Sequence, residues 1–461
     1  MFEAKVYQER RKLLKKQLKS GIVLLPANDE CPMNYAANTY RYRQDSTFLY
    51  FFGLNIPGLA GIVDIDAGKD ILFGDDIGID DIIWMGHLPK MKDRARSVGV
   101  ARIAPLKDLE VYLKKALSGK RTIHFLPPYR PGIAARIESL LGLKPGQSRE
   151  RASVDLIRAV VEQRSVKSPA EVAEIEKALA VTARMYDAAF RMTKPGRMES
   201  EIAGTMEGIA LAADCAPAFP LIVTINGHIL HNHYHGNKLK TGRLLVADSG
   251  AETAGGYSSD ITRSIPVGGR FNPRQKDVYS IVLAGQLAAI KAMKPGVSFK
   301  DVHLLAARTI ASGLKDLGLM KGDIDEAVAQ GAHALFFPHG LGHMLGLDVH
   351  DMENLGENHV GYNGTVERSR QFGLAYLRLA RELRPGHVVT VEPGIYFIPD
   401  LVALWKKGKK AAAFIDYARV EKFLDFGGTR VEDDVLVTET GRRVLGKPIP
   451  KTIKDIEKAS A

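Results

Sequence analysis

The segment Pro338–Asp351, PHGLGHMLGLDVHD, places three histidines among three glycines. The histidines are His339, His343 and His350. Glycine disfavours helices and weakens strands, and it lets a backbone approach its neighbours closely. A single histidine usually has an ordinary hydrogen-bonded place in a core or on a surface. Three in one glycine-rich segment instead predict a loop that turns imidazoles towards a ligand.

Four acids lie in or beside apolar runs of the same half of the chain. The stretch LLVADSGAETAGGYSSDITRSIPV predicts two strands joined by a glycine turn, with Asp248 ending the first and Asp260 inside the second. Glu392 ends the strand predicted from HVVTVEPGIYFIP, and Glu432 lies inside the strand predicted from GGTRVEDDVLVT. One acid at a strand end is usually a turn former or a cap. Unpaired buried carboxylates are strongly disfavoured, so the set predicts a divalent metal as the compensating charge.

Carboxylates combined with one imidazole suit hard or borderline ions, with manganese first and cobalt, zinc or iron as alternatives. Four carboxylates carry enough charge for two cations roughly 3.5–4 Å apart, bridged by hydroxide. His343 is the preferred imidazole ligand. The other two histidines of the segment, and the cluster ILHNHYHGN at residues 229–237, are predicted to line the rim.

The alternation of elements predicts an α/β (α+β) chain of two domains, residues 1–160 and 161–461. In the first domain, charged helical segments such as VYLKKALSG separate short predicted strands: GIVLLPA (21–27), TFLYFFGL (47–54), AGIVDID (60–66), DILFGDD (70–76) and TIHFLPP (122–128). The second domain is predicted to begin with a helix. Ser168 is its N-cap, Pro169 its first residue and Glu171 the partner in a capping box.

The second half contains an internal sequence repeat. AAFRMTKPGRMESEIAGTMEGIA (188–210) and AAIKAMKPGVSFKDVHLLAARTI (288–310) each predict a helix, a Lys-Pro-Gly turn and another helix. Such a duplicated α/β unit would place its unusual residues in the cleft between two related halves, where ligand sites are common.

Composition limits the class of protein. Hydrophobic residues make up 45% of the 461, and the net charge of +11 is spread along the chain, which favours solubility over a nucleic-acid or membrane partner. The two cysteines, Cys31 and Cys215, exclude a disulfide framework or a cysteine metal cluster and suit a reducing compartment. No apolar run approaches the roughly 20 residues of a membrane span. We expect a cytoplasmic protein.

The ordered set of acids and histidine, in its flanks DSGAETAGGYSSDITR, HGLGHMLGLDVHD, TVEPGIYF and TRVEDD, resembles the metal site of the pita-bread metallopeptidases, specifically aminopeptidase P and prolidase. RYRQDSTFLYFFGL and IIWMGHLP resemble their N-terminal domain. The resemblance implies an N-terminal creatinase/aminopeptidase P-like α/β domain, followed by a pita-bread catalytic domain. The interval from Asp248 to Asp260 is one residue longer than the usual spacing, and we expect Gly255-Gly256 to absorb the extra residue.

The resemblance also implies roles for individual residues. Asp248 would bind one ion through both oxygens, Asp260 and Glu432 would bridge two ions, and His343 and Glu392 would hold the second. Glu392 would also carry the proton of the bridging hydroxide. The remaining implied catalytic residues are His231, His339 and His350. His233 is an alternative to His231, and it is also a candidate substrate contact together with Arg378 and Arg430.

The implied reaction is hydrolysis of the bond between an N-terminal residue and proline. The N-terminal half is closer to aminopeptidase P, which accepts longer peptides, whereas the intervals around Glu392 and the position of Arg378 are closer to prolidase, which prefers dipeptides. A solvated helix arginine is the ordinary alternative for Arg378. Substrate length therefore stays open at this point.

Two alternative functions are disfavoured because all five predicted metal-ligand positions are intact. They are a non-catalytic pita-bread binding protein, such as a chaperone or nucleic-acid binder, and a metal-free creatinase-like amidinohydrolase. The resemblance implies peptide substrates with proline second and a homodimer or homotetramer, without a nucleic-acid or membrane partner.

Overall fold

The computed structural model describes residues 2–364 and 366–461. Met1, in the predicted first domain, and Thr365, between His350 and Glu392, lie outside the described residues. The chain separates into two compact units, Met1–Arg164 with Asn354–His359, and Ser165–Glu353 with Val360–Ala461. The predicted division treats residues 161–461 as one continuous domain, whereas Asn354–His359 groups with the first unit.

The first unit is built on a mixed sheet in the order β4-β3-β2-β1-β5. Its strands are β1 (Ile22–Pro26), β2 (Ala60–Asp64), β3 (Lys69–Phe73), β4 (Arg102–Ala104) and β5 (Ile123–His124). Its helices are α1 (Ala4–Gln17), α2 (Ser46–Phe52), α3 (Ile79–Met85), α4 (Met91–Ser97), α5 (Asp108–Ser118), α6 (Pro131–Leu141) and α7 (Val154–Ser165). Leu24 and Ile62 of the sheet and Leu113 of α5 share one buried core cluster.

One predicted strand of this unit is wrong. The segment TFLYFFGL forms α2 rather than a strand, because the Asp45 side chain caps the helix by accepting a hydrogen bond from Phe48 N at 2.8 Å. Gly53, with φ of +61°, ends it in the left-handed conformation. All seven helical residues are buried, so the apolar pattern carries no helical period and its aromatic content favours a strand in sequence.

The second unit begins with α8 (Pro169–Met192). The predicted capping box is confirmed, since the Glu171 carboxylate accepts from Ser168 N at 3.0 Å while Ser168 Oγ accepts from Glu171 N. The apolar stripe of this helix, which includes Ile175 and Leu179, is buried.

The second unit repeats one arrangement, which confirms the duplicated α/β architecture. The helix pair α8 and α9 (Glu199–Ala212) precedes the antiparallel sheet β10-β8-β7, and the pair α10 and α11 precedes the sheet β11-β14-β15. These elements are β7 (Ile222–Thr224), β8 (Leu244–Ser249), β10 (Ile261–Pro266), α10 (Pro273–Ala292), α11 (Phe299–Asp316), β11 (Val388–Val391), β14 (Asp433–Val437) and β15 (Arg442–Val444).

Shorter elements complete the chain. The strand pairs are β6 (Ala216–Pro217) with β9 (Ala251–Glu252), and β12 (Gly394–Tyr396) with β13 (Gly428–Arg430). The remaining helices are α12 (Ile324–Ala329), α13 (Glu357–Val360), α14 (Pro399–Lys407), α15 (Tyr417–Val420) and α16 (Ile453–Ala459). Among the described residues, no helix combines the length and the apolarity needed to cross a membrane.

Candidate metal centre and active site

The histidine segment Pro338–Asp351 forms an irregular loop without helix or strand, as predicted. His343 N donates to Thr390 Oγ1 at 3.1 Å, so the loop lies directly against β11. A Cβ on Gly342 would lie 2.0 Å from the carbonyl oxygen of Thr390. Glycine is therefore required at this close approach, which places His343 beside the end of β11.

The four acids converge from strand ends. Asp248 lies in β8 and Glu392 directly follows β11, as predicted. Two placements were wrong: Asp260 directly precedes β10, and Glu432 lies between β13 and β14 rather than inside a strand. Glu432 lies outside a strand because the pairing partner changes at this point: β13 pairs with β12, whereas β14 pairs with β11.

His343 is oriented to act as a ligand. Its Nδ1 donates to the carbonyl oxygen of Met344 at 3.0 Å, which leaves Nε2 with its lone pair. Nε2 lies 3.4 Å from Asp260 Oδ2 and 3.6 Å from Glu392 Oε1. Asp260, His343 and Glu432 each offer a ligand atom within 4.8 Å of the others. These atoms can share one cation.

Among the described residues, one cation bonds the four carboxylates, since Arg430 donates to Asp248. The buried Oδ1 atoms of Asp248 and Asp260 accept no hydrogen bond. Burial, together with neighbouring carboxylates, raises the pKa of Asp260 and Glu432 well above their usual range. Burial raises the pKa of Glu392 to about 8, an effect that Arg430 opposes and Asp260 reinforces. Oxygen-rich donors with orphaned buried oxygens fit divalent ions.

One cavity of about 950 Å³ brings together every residue predicted for the site. Its lining includes His231, His233, Asp248, Asp260, His339, His343, His350, Arg378, Glu392, Arg430 and Glu432. Residues separated by two hundred positions thus meet at one surface.

A hydrogen-bonded chain connects His339 to Asp248 along the cavity wall. His339 Nδ1 donates to the Gly340 carbonyl oxygen at 2.8 Å, and its Nε2 lies 2.9 Å from the Tyr396 hydroxyl. Tyr396 accepts from Arg430 Nη1 at 3.0 Å, and Arg430 Nη2 donates to Asp248. Both nitrogens of His339 and the Arg430 guanidinium are thereby occupied by protein groups. This bonding orients Asp248.

His350 and Arg378 form a second polar group beside the loop. His350 Nδ1 lies 2.5 Å from Glu353 Oε2, and its Nε2 accepts from Arg378 Nη1 at 3.1 Å. The His343 and His350 rings are 4.2 Å apart between centroids. Arg378 follows a 3₁₀ turn and lies in no helix, so the helical setting considered for it is wrong. Its side chain is half-buried in the cavity.

His231 and His233 both line the cavity. Burial lowers the pKa of His231, and the charge of Arg430 adds to this effect while Asp248 opposes it. These interactions place His231 within electrostatic reach of the acidic cluster.

Several residues at the site were missed in the sequence. Tyr396 lies in the quoted EPGIYF stretch, and Thr262, in DITR, donates to Glu432 Oε2 at 2.6 Å. Thr390, in the strand before Glu392, orients His343. Each shares a strand or a strand end with a predicted ligand, and that proximity was the available signal.

Comparisons with known proteins agree with this geometry. Residues 173–439 match metallopeptidase family M24, and residues 7–124 match the aminopeptidase P N-terminal domain. A human Xaa-Pro dipeptidase is 31% identical over 462 residues, covering 96% of this chain and 89% of the relative. An Escherichia coli Xaa-Pro aminopeptidase is also 31% identical, covering 98% of this chain and 96% of the relative.

Solved structures agree as well. Zinc-substituted E. coli aminopeptidase P in complex with product is similar with a TM-score of 0.82 at 30% identity, covering all of this chain and 98% of the other. The family match at residues 173–439 spans the strand-end acids and the histidine loop. Sequence, fold and cavity therefore lead to a single assignment: the chain belongs to metallopeptidase family M24.

Proposed function

We propose that the chain is a metal-dependent exopeptidase that hydrolyses the Xaa-Pro bond at the N-terminus of peptides. The observation that carries this proposal is the convergence of three buried carboxylates, the partly buried Glu392 and one imidazole in a single cavity. Relatives named Xaa-Pro aminopeptidase and Xaa-Pro dipeptidase support the choice of substrate. The intact set of donors disfavours a non-catalytic binding protein.

The acids and His343 would hold two divalent ions, with manganese as the first candidate and cobalt, zinc or iron as alternatives. Asp248 would bind one ion, Asp260 and Glu432 would lie between the two, and His343 with Glu392 would bind the other. The unpartnered Oδ1 atoms of Asp248 and Asp260 support this arrangement. Bound ions would supply an activated water and polarise the scissile carbonyl.

The protein's own groups then have distinct tasks. Glu392, which lines the cavity 3.6 Å from His343 Nε2, would accept the proton of the attacking water and return it to the leaving nitrogen. We assign His231, rather than His233, to the scissile carbonyl because of its electrostatic interaction with Asp248 and Arg430. His350 would be a second imidazole near that carbonyl, and in this structure its Nδ1 bonds Glu353 and its Nε2 bonds Arg378.

His339 and Arg430 contribute by positioning. Since both His339 nitrogens and the Arg430 guanidinium already bond protein groups, their effect on substrate would pass through Tyr396 and Asp248. Their predicted direct contacts with substrate, like that of His233, stay predictions.

A second candidate is a strict prolidase acting only on Xaa-Pro dipeptides. The observation that favours it is Arg378, whose guanidinium contacts His350 in the cavity and is half-buried. A guanidinium there can form a charge-assisted pair with the carboxylate of a terminal proline. The amide before proline has no N–H, so recognition must rest on the ring and the charged termini.

The test is a rate comparison of Ala-Pro with Ala-Pro-Ala in the presence of manganese. Cleavage of both supports the broad exopeptidase, and cleavage of Ala-Pro alone supports the strict prolidase. If neither peptide is cleaved, the proposal is wrong.

We also propose a homodimer or homotetramer. None of the seven residues of α3 is buried, and Ile79, Ile83 and Trp84 are 69%, 70% and 86% exposed. Large apolar side chains clustered on one helix support a protein contact. Light scattering of wild type and Trp84→Asp would test this.

The remaining assignments are proposals of the same kind. Residues 1–160 would form the N-terminal aminopeptidase P-like domain and residues 161–461 the catalytic domain. A cytoplasmic location is supported by Cys31 and Cys215, neither of which forms a disulfide.

A further inference from the structure

The second unit has another cavity, of about 720 Å³, which we call the rear cavity. It is defined by the residues that line it: Leu179, Ile261, Asp433, residues 444–452, Asp455, Lys458 and Ala459. None of these residues lines the cavity that holds the acids and histidines. The rear cavity is therefore a separate space, and its volume lies in the range of roughly 300–1,000 Å³ that is usual for ligand sites.

The rear cavity lies on the opposite side of the strands from the candidate metal centre. Asp260 and Glu432 line the first cavity, whereas their chain neighbours Ile261 and Asp433 line the rear cavity. Successive side chains of an extended chain point to opposite faces, which explains this division. The rear cavity thus contains none of the residues assigned above to catalysis or to metal binding.

A buried arginine fixes the walls of the rear cavity. Arg263, which is 1% exposed, donates to the carbonyl oxygens of Ile449 and Pro450 at 3.0 and 2.9 Å. The same guanidinium donates to Asp433 Oδ1 at 2.7 Å. These bonds hold the lining segment 444–452 against the strands. Because rigid walls reduce the entropy that is lost on binding, the cavity is preorganised for a ligand.

Most of the negative charge in the lining is already compensated. Among the described residues that line the cavity, Asp433 and Asp455 are the acids. Asp433 forms ion pairs with both Arg263 and Lys451. Asp455 accepts a hydrogen bond from the Thr452 hydroxyl at 2.6 Å, at the start of α16. Asp455 is therefore the one lining acid without a cationic partner among the described residues.

Two lysines of the lining have free ammonium groups. Lys447 and Lys458 are exposed, and neither forms an ion pair or a hydrogen bond with another described residue. Since Asp433 is compensated by two cations, these two lysines outnumber Asp455, the remaining acid. The lining therefore carries an excess of positive charge, which favours an anionic ligand.

The rest of the lining is mostly apolar. Leu179, Ile261 and Ile449 are buried, at 3%, 2% and 7% exposed, and Pro448 and Val444 add further apolar surface. Apolar walls favour a hydrocarbon group, because its burial removes apolar surface from water. Together with the free ammonium groups, they suit a ligand that has an apolar body and one anionic end.

We propose that the rear cavity binds a small apolar monocarboxylate, a molecule with a hydrocarbon body and a single carboxylate. Lys447 and Lys458 would pair with the carboxylate, and the apolar walls would cover the body. A fatty acid and an N-acylated apolar amino acid share this chemistry. The inference goes beyond the proposed peptidase activity and does not depend on it.

The first experiment is calorimetric titration of the manganese-loaded wild-type protein with octanoate, butanoate, octylamine and N-acetylleucine. Octanoate should bind at least about tenfold more tightly than butanoate, because its longer chain removes more apolar surface from water. Octylamine should bind about tenfold more weakly than octanoate, because the lysines repel its ammonium group. Tighter binding of N-acetylleucine than of octanoate would identify an amino-acid derivative as the source of the ligand, and the reverse order a fatty acid.

Variants then locate the binding. Lys447→Gln and Lys458→Gln should each weaken octanoate binding about threefold, and the double variant Lys447→Glu/Lys458→Glu should weaken it by about tenfold or more. Lys454→Gln is the matched control, since Lys454 is exposed on the same helix as Lys458 and does not line the cavity. Urea midpoints equal to that of wild type would show that the variants fold normally.

Three outcomes would overturn the proposal. The first is that neither octanoate nor N-acetylleucine binds, and the second is that octylamine binds as tightly as octanoate. The third is an affinity for octanoate that the double variant leaves unchanged, because octanoate would then bind elsewhere, for example at the metal centre. Each of these outcomes leaves the proposed peptidase activity standing, because that activity is tested by the cleavage of Ala-Pro.

Discussion

Glu432 and Asp433 are neighbours in the chain, and both are buried, yet their surroundings differ in charge. Glu432 faces three further carboxylates, and burial together with Asp260 raises its pKa well above the usual range. Asp433 points to the opposite side. Burial opposes its ionisation, but Arg263 and Lys451 outweigh burial, so its pKa is lowered.

The contacts of Asp433 explain the difference. Arg263 Nη2 donates to it at 2.7 Å, Lys451 Nζ at 2.6 Å and Gln286 Nε2 at 2.9 Å. Arg263 also donates to the backbone oxygen of Glu432 at 2.6 Å. Two cations, Arg263 and Lys451, bond the single acid Asp433, whereas the four-carboxylate cluster that contains Glu432 has one bonded cation among the described residues, Arg430 on Asp248. Internally compensated charge stabilises the fold, whereas uncompensated charge indicates where a ligand must contribute.

The largest expected effect is loss of catalysis when the four-carboxylate cluster is altered. Glu432→Gln or Asp260→Asn should reduce Ala-Pro turnover on the order of a thousandfold or more, since each removes a proposed shared ligand, and chelation should abolish it. Turnover assays with metal analysis would measure this. Glu439→Gln, at an exposed turn, is the control. An active protein without divalent ions would refute the prediction.

Arg263→Met should mainly reduce stability. Removing Arg263 breaks a buried ion pair and leaves Asp433 with Lys451 as its remaining cation, which costs at most about 3–5 kcal/mol in the free energy of unfolding. Urea denaturation of the chelated protein would measure it. Arg443→Met is the control, because its ion pair with Glu176 is exposed and contributes less than about 1 kcal/mol. In the same assay Glu432→Gln should not lower the free energy of unfolding. If it lowers that free energy as much as Arg263→Met does, the proposed difference between Glu432 and Asp433 is wrong.

Two histidine variants test which imidazoles belong to the set of metal ligands. His350→Ala and His339→Ala should lower turnover by about a hundredfold while the content of metal stays unchanged, because neither is a proposed ligand. Turnover and metal content would be measured on the same preparations. Depletion of metal in either variant would move that histidine into the ligand set.

Substitution of Arg378 tests whether this half-buried cation binds substrate or only stabilises the fold. Arg378→Ala should raise KM for Ala-Pro by an amount equivalent to about 1.5–3 kcal/mol and leave Ala-Pro-Ala little changed, because only the dipeptide places its carboxylate there. Steady-state kinetics on both peptides, with Arg378→Lys as the charge-preserving control, would measure it. Equal losses would indicate a structural role, and no loss would favour the aminopeptidase P type.

The smallest effect per residue is expected from two buried imidazoles that have no hydrogen-bond partner. The ring nitrogens of His303 and His333 have no hydrogen-bond partner, and burial lowers their pKa values to about 3 and about 4. The unfolded chain binds their protons below about pH 6.5, so stability should fall as pH drops from 6.5 towards these values, by about 1–2 kcal/mol per imidazole at pH 5. Urea midpoints at pH 7 and pH 5 would show this. His303→Leu should reduce the difference, and an unchanged difference would contradict the prediction.

The sequence by itself determined much of this protein. The α8 capping box, the repeated helix pairs and the duplicated architecture follow from local patterns, because caps, proline turns and helical periods act over a few residues. The family also follows from the sequence, because the spaced acids and histidines carry the resemblance.

Only the tertiary structure decided the rest. TFLYFFGL is a helix because Asp45 caps it and every side is buried, which removes the helical period from the sequence. Glu432 lies outside a strand because the chain changes partner there, and strand pairing is not a local property. The bonds of Arg430 to Asp248 and of Arg263 to Asp433 join residues about 170 or more positions apart. Which buried acids receive a cation from the protein is therefore set by packing.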